Sequence, residues 1–426
     1  MMDLGPWRKS FEEIIPVPGD KSLTHRAILF SVLATGEMEI GGWLDAADTR
    51  ASLTFAQALG VKVVEETNSR LVLQSHGIPQ EPHDVVGCGN SGTTMRIGAG
   101  LAAAVPGMVV LTGDDSLRRR PMKRVAEPLG MLGVPVLTRA GGLPPLAIQG
   151  GPHGGGRVTL AVSSAQVKSA LLLAGLTAEE AVTVAEPLPS RDHSERLLQA
   201  MGARLHGKAP LVTIDPGKLA GIALTIPGDP SSAAFWCALS AILPGRRIII
   251  PSLLFNPTRV GFFRALERMG AQLDWHDEGS LPEAWGSLTV AGASLGPIRL
   301  KASDIPAMVD EVPLLALLAT QALGTSVIEG AQELRVKECD RISVTTQILR
   351  AMGAEVEERS DGWVVNGPVK LRGAQVDAQG DHRMAMLAAV AATVAEGSTY
   401  LQGEDSVAVS YPRFFRQYEA LARIAR

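Results

Sequence analysis

GAQELRVKECDRISVTTQILRAM, residues 330–352, ends in a helix-like run and passes through Gly353 into the strand-like residues 354–357. Residues 342–349 carry apolar side chains at helical spacing, and a glycine just after such a run is a common way to stop a helix. The same ending recurs. Ala58-Leu59-Gly60, Met131-Leu132-Gly133, Ala200-Met201-Gly202 and Arg268-Met269-Gly270 each close a helical run and precede a short strand, and from Gly60 to Gly353 the intervals are 73, 69, 68 and 83 residues. Working outward from these markers defines one unit used six times. A small-residue, apolar helix begins near Lys21, Ser91, Ala165, Ser231, Glu311 or Asp381. A strand follows, as in residues 109–111, 182–184 and 247–250, then a turn, an amphipathic helix such as 197–201 or 262–266, the glycine and another strand.

The first helix of each unit is nearly uncharged, and residues 386–394 are too apolar to face water on most sides, so these helices belong inside sheets rather than on a polar solenoid. The fold class predicted is α/β, with six repeats divided three and three between two domains. Pro16-Val17-Pro18-Gly19 and Pro227-Gly228-Asp229-Pro230 are the turn-forming stretches at the crossings. The expected domains are therefore 19–228, and 1–18 together with 229–426, with the active cleft between them. The glycine-rich stretches 141–142 and 150–156 read as loop tips, because neither has the lysine or the strand-turn-helix context of a phosphate loop.

With 426 residues, 46% hydrophobic and 20% charged, the chain can bury substantial cores. A formal charge of −4 argues against nucleic-acid wrapping while leaving room for a local basic site, so the expected partner is a small anion. Cys88, Cys237 and Cys339 are scattered, with neither a disulfide framework nor paired metal-ligand spacing. The first 22 residues place charges where a secretory signal needs an apolar core, and no long uncharged apolar run follows. The expectation is a soluble cytoplasmic protein that binds neither membrane nor nucleic acid.

Polar residues gather where the apolar helices open. Lys21, Ser22 and Arg26 start the first, and two cations there oppose the usual preference for acidic residues at a helix N-terminus, which implies an expected anion. Gly89-Asn90-Ser91-Gly92-Thr93-Thr94-Met95-Arg96 opens the second; Asn90 or Ser91 can serve simply as a cap, while Gly92 permits close backbone approach to a ligand. The cationic turn DDSLRRRP, residues 114–121, brings Arg120. Ser163, Ser164, Gln166 and Lys168 open the third, where capping needs a serine but neither the amide nor the ammonium. Arg191 and His193 follow in a segment that reads as a further cap, His193 as a cap or surface residue. Asp310 and Glu311 precede the fifth helix, either as dipole complement or as a base for a substrate hydroxyl. Lys337 and Arg341, four apart, are read as sharing one helix face with Glu338 between them in sequence, and Asp381-His382-Arg383 opens the sixth helix. Each group alone is matched by solvated ion pairs on ordinary helix surfaces.

Taken in order, Gly19-Asp20-Lys21-Ser22 with Arg26, residues 89–94, Arg120-Pro121, residues 163–166, Asp310-Glu311, Arg335-Val336-Lys337-Glu338 with Arg341, and Gly380-Asp381-His382-Arg383 make the chain resemble the 5-enolpyruvylshikimate-3-phosphate synthases of the enolpyruvyl transferase family, over nearly its whole length. The resemblance implies two domains of three βαβαββ units each, transfer of the enolpyruvyl group of phosphoenolpyruvate to the 5-hydroxyl of shikimate 3-phosphate with release of phosphate, domain closure, no cofactor and no metal. A monomer is expected. Carried over by position, Ser22, Arg26, Ser164 (or Ser163), Gln166, Arg191, Asp310 and Lys337 resemble the shikimate 3-phosphate set. Lys21, Gly92, Arg120, Gln166, Arg341 and Arg383 resemble the phosphoenolpyruvate set, and Asn90 counts among the substrate-binding residues. Asp310 stands where a base would accept the hydroxyl proton, Glu338 where a group would exchange a proton with the methylene carbon, and Lys21 where proton transfer and phosphate departure would be assisted. Two positions depart from the pattern: Val409 replaces a lysine of many relatives, and Glu333 replaces an amide of some. A UDP-N-acetylglucosamine enolpyruvyl transferase is the nearest alternative, but it usually has Lys-Asn at the first opening and a cysteine in the mobile loop, where this chain has Lys21-Ser22 and residues 114–120 without cysteine. A non-catalytic anion-binding protein is the alternative of a different class.

Overall fold

In the third repeat, the strand Gly156–Thr159 leads through a helix to Val182–Ala185, and a second helix leads to the hairpin Leu205–Lys208 and Leu211–Ile214. The strands lie side by side in the order 156–159, 182–185, 211–214, 205–208, the first pair parallel and the next two antiparallel. A parallel first pair requires a crossover, and the apolar helix supplies it. The second and fifth repeats have the same order, centred on Met108–Thr112 and Gly324–Ile328. The computed structural model describes residues 1–426 and divides into two compact units, Gly19–Ile226 and Met1–Pro18 with Pro227–Arg426. Pro227 and Gly228 fall in the latter, where the Gly228 N–H donates to the Ser252 carbonyl at 2.6 Å.

The other three repeats borrow strands from distant sequence. Ala34–Gly41 of the first takes its parallel neighbours from Leu219–Ala220 and Ala223–Thr225. Arg246–Leu254 of the fourth takes Phe11–Ile14. The sixth has a sheet of three strands, in which Thr399–Gln402 lies between Gln375–Asp377 and an antiparallel Met2–Leu4. The sixth repeat is thus the short one, ending in a helix where the others turn back as a hairpin.

The helices of the Gly19–Ile226 unit are α1 (Lys21–Phe30), α2 (Ala47–Ala58), α3 (Gly92–Ala102), α4 (Lys123–Met131), α5 (Ala165–Gly175) and α6 (His193–Ala200). Those of the other unit are α7 (Pro230–Ala241), α8 (Gly261–Arg268), α9 (Val312–Ala319), α10 (Arg341–Ala351), α11 (His382–Ala392) and α12 (Phe414–Ala425). The odd-numbered helix of each repeat is the apolar one, and α7, α9 and α11 are buried at every residue. The even-numbered ones are amphipathic: α8 buries Phe262, Phe263, Ala265 and Leu266 and exposes Arg264, Glu267 and Arg268. Close packing needs small residues; a Cβ on Gly100 of α3 would stand 2.1 Å from the Ala170 carbonyl oxygen of α5. The repeat-closing Gly60, Gly133, Gly202, Gly270 and Gly353 all have positive φ, as a residue ending a helix in the left-handed region does.

A buried helix must still satisfy its first N–H groups. Asp20, Ser91, Ser164, Asp229 and Asp381 do so, accepting from the N–H groups of Leu23, Thr94, Val167, Ser231 and Arg383. Glu311, at the corresponding place on α9, makes no cap bond and is used otherwise. No helix is long and apolar enough to cross a membrane.

Candidate active site

In the Gly19–Ile226 unit, Lys21 at the start of α1 places its Nζ 3.0 Å from Asp48 Oδ2. Arg26, one turn on, is buried and donates from Nε to Ser194 Oγ at 2.8 Å, from Nη2 to Ser169 Oγ at 3.1 Å and from Nη1 to the Ser22 carbonyl at 3.0 Å. One guanidinium therefore ties the opening of α1 to α5 and α6. Gln166 joins α5 to α3: its Oε1 accepts from Arg96 Nη1 at 2.7 Å and its Nε2 donates to Thr93 Oγ1 at 2.9 Å. Gly92 lies beside both cations of that end, for a Cβ there would stand 3.0 Å from Arg96 Nη1 and 3.6 Å from Arg120 Nη1. Arg120 donates to Asn90 Oδ1 at 2.6 Å, and Asn90 in turn donates to Asp114 at 2.8 Å. Of the three consecutive arginines, Arg118 and Arg119 are exposed and Arg120 alone turns to the α3 opening.

The serines at the third opening differ in their attachments. Ser163 Oγ both donates to the Leu188 carbonyl and accepts from the Leu188 N–H, whereas Ser164 caps α5 and donates its N–H to Glu186 Oε1 at 3.0 Å. Lys168, expected beside them as a ligand donor, points inward instead. It is 1% exposed, with Nζ 3.1 Å from Glu186 and 2.7 Å from Glu195. Glu186 also accepts from Ser190 Oγ at 2.9 Å, so the buried cluster braces the loops that carry Ser164 and Arg191. Arg191 is partly buried just ahead of α6. His193 is fully buried rather than a surface residue, because as the first residue of α6 it turns into the unit.

In the other unit the openings of α7, α9 and α11 form one network. Asp310 Oδ1 lies 3.2 Å from Arg341 Nη1 and 3.5 Å from Lys337 Nζ, and its Oδ2 lies 3.9 Å from Arg383 Nη2. Arg341, nearly fully buried, also donates to Asp381 at 2.7 Å and to Glu338 at 2.6 Å. Burial alone would lower the Arg341 pKa, but Asp381, Glu338 and Asp310 raise it above its ordinary value, so the guanidinium stays charged. Burial and the Glu338 charge push the Asp381 carboxyl up, Arg341 and His382 pull it down, and the balance lies below the usual carboxylate range. Glu311 accepts from Ser231 Oγ and from Arg383 Nη1, the latter at 3.5 Å, while Arg259 donates to Asp229 and Ser231 at 2.9 Å each. Lys337 does not share a helix face with Arg341. A short 3₁₀ turn ends before it and α10 begins only at Arg341, where Asp340 caps the Ser343 N–H; the two cations meet at Asp310 from different segments.

This arrangement offers carboxylates held among cations at buried helix N-termini, which suits acid–base work on a small anion. No cluster of three or more His, Cys, Asp or Glu side chains is arranged to hold a metal. The family model described as EPSP synthase (3-phosphoshikimate 1-carboxyvinyltransferase) matches residues 8–418. The chain belongs to the EPSP synthase family. A 3-phosphoshikimate 1-carboxyvinyltransferase of Synechococcus sp. (strain RCC307) is 47% identical over 424 residues, covering 97% of this chain and 96% of the relative. One from Bacillus cytotoxicus is 41% identical over 418 residues, covering 97% and 98%. Among solved structures, an EPSP synthase from Acinetobacter baumannii superposes with a TM-score of 0.88 at 35% identity, covering 99% of this chain and 97% of that one. The enolpyruvyl transferase NikO from Streptomyces tendae, at 17% identity and a TM-score of 0.78, shares the fold.

The residues that the resemblance to the EPSP synthase family picks out fall in both units. Lys21, Ser22, Arg26, Asn90, Gly92, Arg120, Ser163, Ser164, Gln166 and Arg191 fall in Gly19–Ile226, and Asp310, Glu338, Lys337, Arg341 and Arg383 in the other. Glu333 is half exposed with Oε1 3.5 Å from Lys337 Nζ, so this member of the family sets a carboxylate beside that cation. Val409 ends the 3₁₀ turn Glu404–Val409 and adds no charge there. The sequence includes Arg96 at the end of the second opening but assigns it no role, and nothing in it singles out Arg259. Their signal was position alone: Arg96 lies one helical turn after Gly92, and Arg259 ends Asn256-Pro257-Thr258-Arg259, an Asx turn in which Asn256 accepts from Thr258.

Proposed function

We propose that the protein transfers the 1-carboxyvinyl group of phosphoenolpyruvate to the 5-hydroxyl of shikimate 3-phosphate and releases phosphate, acting in the cytoplasm as a single chain in aromatic amino acid biosynthesis. The observation that carries this reading is Asp310 among Lys337, Arg341 and Arg383, with Glu338 on Arg341. Addition requires a proton delivered to the methylene carbon while the 5-hydroxyl oxygen attacks the adjacent carbon and loses its proton. Elimination takes a proton back from the new methyl group and expels phosphate. Asp310 is the acceptor of the hydroxyl proton, and Glu338 exchanges the proton with the methylene carbon. Lys21, Arg120, Arg341 and Arg383 neutralise the carboxylate and phosphate of the donor, with Asn90 and Gly92 beside them. Ser22, Arg26, Ser164, Gln166, Arg191 and Lys337 hold the acceptor, with Ser163 keeping the Leu188 loop in place.

The test is phosphate release from purified protein given phosphoenolpyruvate with either shikimate 3-phosphate or UDP-N-acetylglucosamine. Release with the first acceptor alone is expected. Release with the nucleotide sugar alone would reassign the acceptor, and binding without release from either would make the protein an anion binder.

A further inference from the structure

Glu186 follows the strand Val182–Ala185 and is anchored there by its own N–H, which donates to the Pro210 carbonyl at 2.8 Å. Its buried carboxylate joins two loops. Oε1 accepts from the Ser164 N–H at 3.0 Å, on the loop that opens α5, and Oε2 accepts from Ser190 Oγ at 2.9 Å, on the loop that opens α6. Lys168 of α5 completes the arrangement, with Nζ 3.1 Å from Glu186 Oε2, 2.7 Å from Glu195 Oε1 and 3.5 Å from the Ser190 carbonyl. An ammonium has three protons and these three oxygens take them, so Lys168 has none left for a ligand.

Both oxygens of Glu186 thus face donors. A carboxylate can accept at both ends, whereas an amide of the same size accepts at one and donates at the other. A second tie joins the same loops, since Ser163 Oγ donates to the Leu188 carbonyl at 2.6 Å and accepts from the Leu188 N–H at 2.9 Å. Pro187 and Pro189 fix φ on either side of Leu188, so a hold at Glu186 and Ser190 carries through the short segment between them. Just beyond these ties lie Ser164 on one loop and Arg191 on the other, both partly exposed where Glu186 and Lys168 are buried.

We infer that Glu186 is a positioning residue for the acceptor: by accepting from Ser164 and Ser190 at once, it fixes the spacing of Ser164 and Arg191 so that both grip one molecule of shikimate 3-phosphate. The inference rests on the reading of those two residues as acceptor ligands. A spacing already set inside the protein spares the substrate the cost of ordering the loops when it binds.

The test is steady-state kinetics of the full chain with each substrate varied in turn. Glu186→Gln turns an amide N–H2 towards the donors of one loop and should raise KM for shikimate 3-phosphate about five- to tenfold, with KM for phosphoenolpyruvate within about twofold of the parent. Glu195→Gln, in the same cluster but paired with Lys168 rather than with either loop, should leave both values unchanged. Should Glu186→Gln fail to fold, Glu186→Asp keeps the charge beside Lys168 but is one methylene too short to reach both loops, and it should show the same split. An unchanged KM for shikimate 3-phosphate, an equal rise for both substrates, or an equal response from Glu195→Gln overturns the inference. The underlying reading is judged separately by Arg191→Ala. If that variant leaves KM for shikimate 3-phosphate unchanged, these loops do not hold the acceptor and the inference falls with that reading; a rise there with no effect at Glu186 rejects the positioning role alone.

Discussion

Asp310 is the side chain on which the proposed chemistry turns, because three cations reach it, two from residues 337–341 and one from the opening of α11. Removing the carboxylate leaves those cations in place to hold substrate, so Asp310→Ala should lower kcat by about a hundredfold or more while KM values move far less. An unchanged kcat in steady-state assays would take the base role away from Asp310. Glu338→Gln keeps an oxygen that can accept from Arg341 Nη2 but loses the proton it would exchange. The expected result is loss of deuterium incorporation at the methylene carbon of phosphoenolpyruvate in deuterated buffer, and incorporation at the normal rate would exclude that role. At this scale the sequence shows which residue types are available but not where they point. Nothing in DDSLRRRP singles out Arg120 from its two exposed neighbours, and nothing around Lys168 says that its ammonium turns inward to two glutamates. Those directions are set by tertiary packing.

Elements were more legible than single side chains, for a physical reason. An apolar helix in a buried position cannot leave its first N–H groups unsatisfied, so Asp20, Ser91, Ser164, Asp229 and Asp381 mark their helix starts in sequence as well as in space. The exception is α10: Lys337 and Arg341 have helical spacing and suggest an earlier start, but the helix begins at Arg341 behind its cap, Asp340. Strands borrowed from distant sequence, such as Met2–Leu4 beside Thr399–Gln402, leave no local periodicity to read. The junction of α5 and α6 carries the pH dependence predicted at this scale. Burial raises the Glu195 carboxyl above its ordinary value, with Lys168 offsetting part of the effect. The folded protein therefore keeps a proton that the unfolded chain releases at lower pH, and stability falls as pH rises from the ordinary carboxylate value towards the raised one. Glu195→Gln removes that loss while keeping an acceptor for Lys168. Its Tm should exceed the parent's by about 2–4 °C near pH 7.5 and by less near pH 4, and an equal gain at both would refute burial of the charge as the cause.

At the scale of the whole molecule, the two units differ in how the chain closes them. Gly19–Ile226 is one continuous stretch that completes its first sheet with its own last strands, and a Cβ on Gly19 would stand 3.2 Å from Ile226 Cγ2, so its ends meet. The other unit is assembled from two stretches. The segment Met1–Pro18 supplies edge strands to two of its sheets and buries Trp7, whose ring lies 4.8 Å from that of Tyr418 and whose carbonyl accepts from Arg246 at 3.1 Å. Losing a buried tryptophan costs about 3–5 kcal/mol even before the strands are counted, a large share of a domain's net stability. A fragment of residues 19–226 should therefore unfold in a single cooperative calorimetric transition. A fragment of residues 227–426 should show none, and joining residues 1–18 back to it should restore one. Because the proposed reaction draws on Lys21 and Arg120 in one unit and Asp310 and Glu338 in the other, neither fragment alone should release phosphate. A cooperative transition in 227–426 without its N-terminal segment would show that the borrowed strands decorate that unit rather than complete it.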